Sequence, residues 1–520
     1  VKPDVYLLRR SLTAISVIAL LGGCSAILGI EDLNSGPAPG ADAGSGGEDG
    51  SGGADSGGSG GKSTGGSSGA DTGGSSGTGG AGTSSGGIDG GAGGNAATGG
   101  TVGNGGTVGT GGTVGTGGVP TDPSGPIHGK LIDFWRHAVP GATIMIGATT
   151  TSTNANGEFT VSAVTGAYDV DILVSTNVNN VPSNFAWRYE GLTRKDPTLQ
   201  VYRGLPERGS EINVHVKNVT FPLQASERIA FDFGGADGEF GTTLDGADTD
   251  FLSPAWVGPA NTSGTTHALM WTVTGAQDLP ASYLAHSTRP TAIGEGAPGD
   301  VTFDLTHDAA TPLTVGSIAG TTSGGSGGQA QNYVFLRFSD GAVIQLVSDF
   351  SAPASFTYVV PSIAGSGITA ATVRGFESQL PYEVAYQDDL APGQKNVTLA
   401  VPKAATPLTP QSGTKTVDAT TTFTWTGATN VSVFALESSL RFDTAYVVTT
   451  KHEAKVPKLF PLESGADYSW SIETHGSYAS VDAAAGTEGS LDQYSRGEPR
   501  GPKHGSGSFT RSRGLGVTTK

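Results

Sequence analysis

A sharp break in composition near residue 121 constrains this chain more than any other feature. From Ser35 to about Thr121 the sequence is almost entirely Gly, Ser, Ala, Thr and Asp, in a protein where 84 of 520 residues are Gly. Such a segment has too little apolar surface to offset the entropy lost on ordering, so disorder is expected across it. It closes with three near-copies of a hexapeptide that begin at Thr101, Thr107 and Thr113. A hexapeptide period can build a β-helix, but one Val per copy over three copies makes no core, and a tether is the expectation. About 87 residues of Gly-rich coil span roughly 50 Å and reach near 290 Å when extended. Two enzyme-like strings in the tract lack their context. Gly61-Lys62-Ser63 ends like a phosphate-binding loop, but Ser56 stands where its first Gly belongs. Gly82-Thr83-Ser84-Ser85-Gly86 fits a nucleophile elbow with neither the strand nor the helix that the motif needs.

Ahead of the tract, Arg9 and Arg10 precede a short apolar run, Leu12 to Leu21. This is the pattern of an export signal, and the run is shorter than the roughly 20 apolar residues that cross a bilayer. Leu21-Gly22-Gly23-Cys24 follows and resembles the lipobox of bacterial lipoproteins; Cys24 is the single cysteine of the chain. The resemblance implies a signal peptide over 1–23, peptidase recognition through Leu21, Gly22 and Gly23, and diacylation of Cys24. Two acyl chains hold a protein stably at a membrane where one does not. Ser25, in place of the Asp that retains lipoproteins at the inner membrane, implies the outer membrane or cell surface. Residues 24–122 are then the lipid-anchored linker.

The formal charge is −18, spread along the chain. An acidic chain poor in Lys lacks the basic footprint of nucleic-acid binding, so no nucleic-acid partner is expected. With Cys24 assigned to lipid no disulfide is available, and any folded module depends on its hydrophobic core.

From Pro123 onward short alternating strands are bounded by Gly, Pro, Asn and Asp, with no amphipathic helix. The expected fold class is all-β, as tandem β-sandwich modules over 123–219, 220–308, 309–403 and 404–485, with a disordered tail over 486–520. In the first module Val139-Pro140-Gly141-Ala142 turns the chain into a strand, and Asn156-Gly157 forms a tight hairpin with positive φ. Tyr168, Val170, Ile172 and Val174 alternate with the outward Asp169 and Asp171. Ile127 to Asp133, Ala138 to Ile146 and Thr153 to Val161 together are similar to the carboxypeptidase regulatory-like family, which has a carbohydrate-binding-like sandwich. The resemblance implies an accessory domain, and no catalytic partner accompanies it: no His opens an H-x-x-E motif, and His452-Glu453 has Val456 where a second His would stand. Within the chain, Pro298 to Thr314 echoes Pro392 to Thr409 as a last strand plus linker, and Ile318-Ala319-Gly320-Thr321 echoes Ile127-His128-Gly129-Lys130 as an opening strand. Thr422-Phe423-Thr424-Trp425-Thr426 and Asp467-Tyr468-Ser469-Trp470-Ser471-Ile472 resemble the Trp-bearing and Tyr-bearing strands of fibronectin type III and immunoglobulin-like domains, which implies a shared core for their alternate residues.

Candidate chemistry is sparse. Asp232, Asp237, Glu239, Asp245, Asp248 and Asp250 form an acidic, Gly-rich stretch. Asp245, Asp248 and Asp250 could offer calcium three oxygens, but their spacing matches no known loop and a solvated acidic loop is the favoured reading. Trp187 with Tyr189, and Trp256 with Trp271, could stack on sugars if exposed together, though aromatics in sandwich strands usually fill cores. Arg496, Arg500, Lys503, Arg511, Arg513 and Lys520 read as a solvated basic tail. The expectation is a non-catalytic, lipid-anchored surface protein that binds a carbohydrate or protein partner or spaces other parts apart. No cofactor is expected, calcium aside. The rival is an accessory subunit or divergent hydrolase or peptidase with a site in 221–402, which requires Asp, Glu and His side chains converging there.

Overall fold

The structure is a computed structural model. It describes residues 125–520 apart from 135, 179–180, 202–207, 236–241, 245–247, 306–312, 327–329, 352, 377–378, 429, 439–441, 487–490 and 492–505. Leu21, Gly22, Gly23, Cys24 and the Gly-rich tract lie outside the described residues, as do Asp237, Glu239 and Asp245.

Four β-sandwich modules make up the described chain. The first holds β1 (Gly125–Asp133), β2 (Thr143–Ile146), β3 (Thr149–Ser152), β4 (Glu158–Val164), β5 (Tyr168–Val178), β6 (Val181–Leu192) and β7 (Thr198–Val201). The second holds β8 (Arg208–Gly209), β9 (Ile212–Lys217), β10 (Glu227–Phe233), β11 (Thr242–Thr243), β12 (Thr249–Leu252), β13 (Ala255–Trp256), β14 (Asn261–Thr274), β15 (Leu279–Gly294) and β16 (Gly299–Asp304). The third holds β17 (Thr314–Gly324), β18 (Ala330–Phe338), β19 (Val343–Asp349), β20 (Ser355–Ser362), β21 (Ser366–Phe376), β22 (Gln379–Leu390) and β23 (Val397–Val401).

These three modules share one plan. A three-stranded sheet runs β4-β1-β7, β12-β9-β16 and β20-β17-β23 in turn, facing a four-stranded set β3-β2-β5-β6, β11-β10-β14-β15 and β19-β18-β21-β22. In each, the opening strand pairs antiparallel with one neighbour and parallel with the module's last strand. The echoed segments take matching places: Gly299–Asp304 and Val397–Val401 are last strands, and Ile127 and Ile318 lie in opening strands. The opening strands of the first and third modules also share a close approach. Gly129 lies opposite Phe159 and Gly320 opposite Phe356, and a Cβ at either glycine would fall 2.1 Å or 2.8 Å from the facing ring. Pairing of β8 with β13 and of β9 with β12 and β16 puts Arg208–Gly209 and Ile212–Lys217 in the second module, where the first had been expected to run to 219.

The Asn156-Gly157 turn carries the expected positive φ, 72° at Gly157, but it is no hairpin. β3 and β4 belong to different sheets, so the turn crosses the sandwich. The Asn154 side chain fastens it, its Oδ1 accepting from the N–H groups of Asn156 and Glu158 at 2.9 Å each.

The fourth module holds β24 (Thr406–Thr409), β25 (Thr414–Val417), β26 (Thr422–Thr426), β27 (Val431–Ser438), β28 (Thr444–Thr449), β29 (Glu453–Lys455), β30 (Asp467–His475), the single turn α1 (Val481–Ala484), β31 (Ser506–Arg511) and β32 (Leu515–Thr519). Phe423, Trp425, Tyr468, Trp470 and Ile472 fill one core, as their alternation requires. The expected disordered tail instead supplies strands. β32 pairs with β30 and with β25, and β31 pairs with β30 and β22. The burial of Phe509 and Val517, at 0% and 3% exposure, accounts for the order of a Gly-rich and basic stretch.

The modules are not strung in sequence order. β28 pairs parallel with β6 and β31 pairs antiparallel with β22, so one sheet passes from the first module through the fourth into the third. Cores follow the sheet: Val431, Val433, Ala435, Tyr446 and Val448 of the fourth module join the core of the first. Asp171, expected to face water, is buried at this boundary, accepting from Arg188 Nε at 2.8 Å and the Lys458 N–H at 3.0 Å. Asp482 on α1 accepts from the Thr193 N–H at 2.8 Å. The Glu383 carboxylate ties the third module to the fourth, taking the N–H groups of Ser326 at 2.7 Å and Ala404 at 2.8 Å.

Two outcomes check this account. Gly157→Ala would place a Cβ 2.3 Å from the Leu131 carbonyl oxygen, whereas Gly141, also at φ 72°, has open space around it. In chemical denaturation Gly141→Ala should cost roughly 1–2 kcal/mol, the price of left-handed backbone alone, and Gly157→Ala clearly more. Val517→Asp should destabilise the fourth module by about 3 kcal/mol or more, because it buries an unpaired charge; a wild-type transition midpoint would show the C-terminal strands to be dispensable.

Candidate functional site

The titratable side chains that converge in the middle of the chain do so where the second module meets the third. The second module turns the outer face of its four-stranded sheet against β19 and β20, and Leu269, Trp271, Val273 and Tyr283 continue the core of the third module. Polar groups on the same face line the upper part of the contact. His267 on β14 and His286 on β15 are diagonal neighbours, since His286 lies opposite Leu269. His267 Nδ1 is 3.3 Å from His286 Nε2, and His267 Nε2 is 2.8 Å from the Asp340 carboxylate in the turn after β18. Phe338 stacks on both imidazoles, its centroid 3.8 Å from that of His267 and 5.3 Å from that of His286. Asp340 reaches in because residue 234 is Gly: a Cβ there would lie 2.4 Å from the Asp340 carboxyl carbon. Asp232, fully buried on β10, accepts the Val343 N–H across the same boundary.

Burial, followed by the neighbouring His267, lowers the His286 pKa to about 4. Asp340 is held below the ordinary carboxylate range: burial opposes ionisation, but the hydrogen bond and charge of His267 and backbone donors outweigh it. Burial also pushes the Tyr283 hydroxyl well above its usual range, so it stays protonated and donates to the Val359 carbonyl at 3.1 Å.

Other sequence candidates are dispersed. Asp248 is exposed, and its carbonyl accepts the Val216 N–H at 2.8 Å. Asp250 Oδ1 accepts the Phe251 N–H at 2.8 Å. Among the described residues no group of three or more His, Cys, Asp or Glu is disposed to hold a metal ion. Trp187, Tyr189, Trp256 and Trp271 are all core, at 0%, 0%, 2% and 4% exposure, so none forms a platform for a sugar. His452 Nε2 lies 2.9 Å from the Ala428 carbonyl oxygen. Of the basic tail, Arg511 faces Glu437 and Glu473, and Lys520 pairs with Asp418. A shallow cleft of about 230 Å³ opens at one end of the third module, between Pro361, Ile363, Ser366, Asp389 and Pro392, and contains none of the sequence candidates.

The cluster eluded the sequence apart from Asp232. Register shifts in the β14–β15 ladder, between Met270 and Trp271 and again between Thr272 and Val273, offset the two histidines from any simple hairpin count.

No family model matches the chain. No curated protein matches it. Among solved structures it is similar to the TIE protein of Bacillus anthracis, at 9% identity over 53% of this chain and 50% of that one, with a TM-score of 0.15. A streptococcal ancillary pilin matches at 9% identity over 53% of this chain and 98% of its own, TM-score 0.13. The pilus adhesin SpaC from Lactobacillus rhamnosus GG matches at 8% identity over 54% and 44%, TM-score 0.11. This chain spans about half the length of the first of these. At such scores neither fold nor function is carried across.

If Trp271 is a junction core residue, Trp271→Ala should cost about 3–5 kcal/mol in chemical denaturation. Phe251→Ala, at a side chain 53% exposed, should stay within about 0.5 kcal/mol. Equal, small effects would put Trp271 outside the core.

Proposed function

We propose that the chain is a non-catalytic, lipid-anchored surface protein of a bacterial envelope, displaying a rigid β body that meets a protein partner or spaces other parts from the membrane. The observation that carries this reading is the sheet shared by the first, fourth and third modules. Backbone ladders between modules cannot yield one hydrogen bond at a time in water as side-chain contacts can, so a body tied in this way keeps its faces in fixed relation. Such rigidity suits display and mechanical spacing. The lipobox at Leu21-Gly22-Gly23-Cys24 and the Gly-rich tract that follows it would supply anchor and reach.

A carbohydrate ligand, which the resemblance of the first module to the carboxypeptidase regulatory-like family brings forward, loses its nominated aromatic residues to the core; a protein partner is the better reading. The fibronectin type III-like reading of the fourth module, with its two aromatic strands in one core, fits the same role. For the rival hydrolase, His267, His286, Asp232 and Asp340 are the convergence that reading asks for. Phe338 stacks on both rings, and the group lies in the contact between modules.

The deciding experiment compares wild type with Cys24→Ala by mass spectrometry of the mature N-terminus, membrane fractionation and protease shaving of intact cells. A diacylated Cys24 in the outer-membrane fraction, accessible from outside and released by the substitution, is the expected result. A soluble wild type with an unmodified cysteine would overturn the anchor and, with it, the surface role.

A further inference from the structure

We propose that the contact between the second and third modules is an acid-operated latch: the His267–His286 pair carries at most one added proton while the modules are docked, and a second proton releases them. The proton positions follow from the distances. Asp340 accepts from His267 Nε2–H, so in the neutral pair His267 Nδ1 is the acceptor and His286 Nε2–H the donor. One proton can be taken up without breaking this chain. It enters at His286 Nδ1 while the Nε2 proton passes to His267 Nδ1, and the resulting imidazolium lies against the Asp340 carboxylate. A second proton has no such place. It must sit on His286 Nε2, facing the Nδ1–H of a charged His267 across 3.3 Å. Two cations would then lie against Phe338, in a site where His267 is buried and His286 half-buried, so water screens them only in part.

The charged or titratable groups around the pair are Asp232 from β10, His267 from β14, His286 and Tyr283 from β15, and Asp340 from the turn between β18 and β19. On the same elements Glu227, Arg228, Arg289, Arg337 and Asp349 bond to Gln224, Asp278, Thr302, Asp388 and Tyr358. Asp232 accepts the Val343 N–H and lies opposite His267 in the β10–β14 ladder, and Asp340 is the carboxylate in direct contact with the pair, through His267 Nε2. Among the described residues no ladder joins the second module to its neighbours, so release is opposed by the apolar contact of Leu269, Trp271, Val273 and Tyr283 and not by shared backbone hydrogen bonds.

The sign follows from linkage. His286 is held below its ordinary 6.5, near 4, in the docked state, so undocked protein binds the proton more tightly. Docking is fully stabilised above about pH 6.5 and weakens as pH falls toward 4. Asp340, also held low, acts in the same direction below the carboxylate range. His267 and His286 stay together on the second module, so only the burial part of the shift is relieved on release, and between pH 7 and pH 4 the undocked fraction should rise by at most about 100-fold.

Hydrogen exchange on the intact chain, corrected for the intrinsic pH dependence, tests this directly. Peptides covering β14–β15 and β19–β20 should lose protection at pH 4, while those covering β5–β6 and β27–β30 keep it. His286→Phe, which retains an aromatic ring against Phe338, should abolish the acid response. Unchanged protection at the junction in wild type overturns the latch, as does an equal acid response in His286→Phe. If that variant is already open at pH 7, histidine-labelled NMR of the wild type decides. A His286 titration near pH 4 supports the latch, and a His286 titration near the ordinary histidine value overturns it.

Discussion

The rest of the structure depends on satisfying two sheet edges. β6 and β22 each close a four-stranded set on one side and would present unpaired N–H and C=O groups on the other, a condition that natural sheets avoid. Both edges are filled by the fourth module, through β28 and β31. This is why residues separated by 259 positions, such as Asn184 and Asp443, form hydrogen bonds, and why the fourth module sits between the first and third instead of at the end of a string. A domain count alone misses this, because it treats each sandwich as closed in itself. Contacts of such sequence separation also make the body a slow assembly, with loop-closure entropy to overcome before the pairing contributes.

The modular character was legible from residue 123 onward, because strand alternation and turn chemistry are local. The echoes around Val301 and Thr398, and around Ile127 and Ile318, did mark equivalent strands. A clearer repeat went unread. β6, β15 and β22 each carry an aliphatic residue and a proline within their first three residues, at Val181-Pro182, Leu279-Pro280 and Leu380-Pro381, shortly after the preceding strand ends. Their later residues diverge because each strand covers a different neighbour. Phe185 and Trp187 face the core shared by the first and fourth modules, Tyr283 faces the third module, and Val384 and Tyr386 pack with Phe509.

The errors have one physical origin: composition reports on the free segment, and burial is decided by what arrives from elsewhere. Residues 506–519 look soluble and flexible alone, yet become strands because β30, β22 and β25 offer them open ladders. Asp171 alternates as an outward residue should, but outward here means toward the fourth module, and Arg188 and the Lys458 amide receive its charge. The tryptophans at 187, 256 and 271 followed the rule for aromatics in sandwich strands. The histidine pair had no local signature, since its members meet only through a bulged ladder and acquire Asp340 only through another module.

The two kinds of junction divide the molecule by how each can fail. Where modules share a ladder, separation must break many backbone hydrogen bonds together, and solution pH between the carboxylate and lysine ranges does not touch those groups. Between the second and third modules no backbone ladder is found among the described residues, and the contact is built on Leu269, Trp271, Val273 and Tyr283 with a small titratable set above them. An apolar contact of that size is strong but indifferent to its surroundings, so any environmental response of the body must enter through the polar part. Both histidines of the middle region that lie on β14 and β15 are in that part, one of them against a carboxylate that only a glycine admits. The second module is therefore the one held, among the described residues, without a shared ladder, so titration of its polar contact acts on its attachment directly, while the first, fourth and third keep their common sheet.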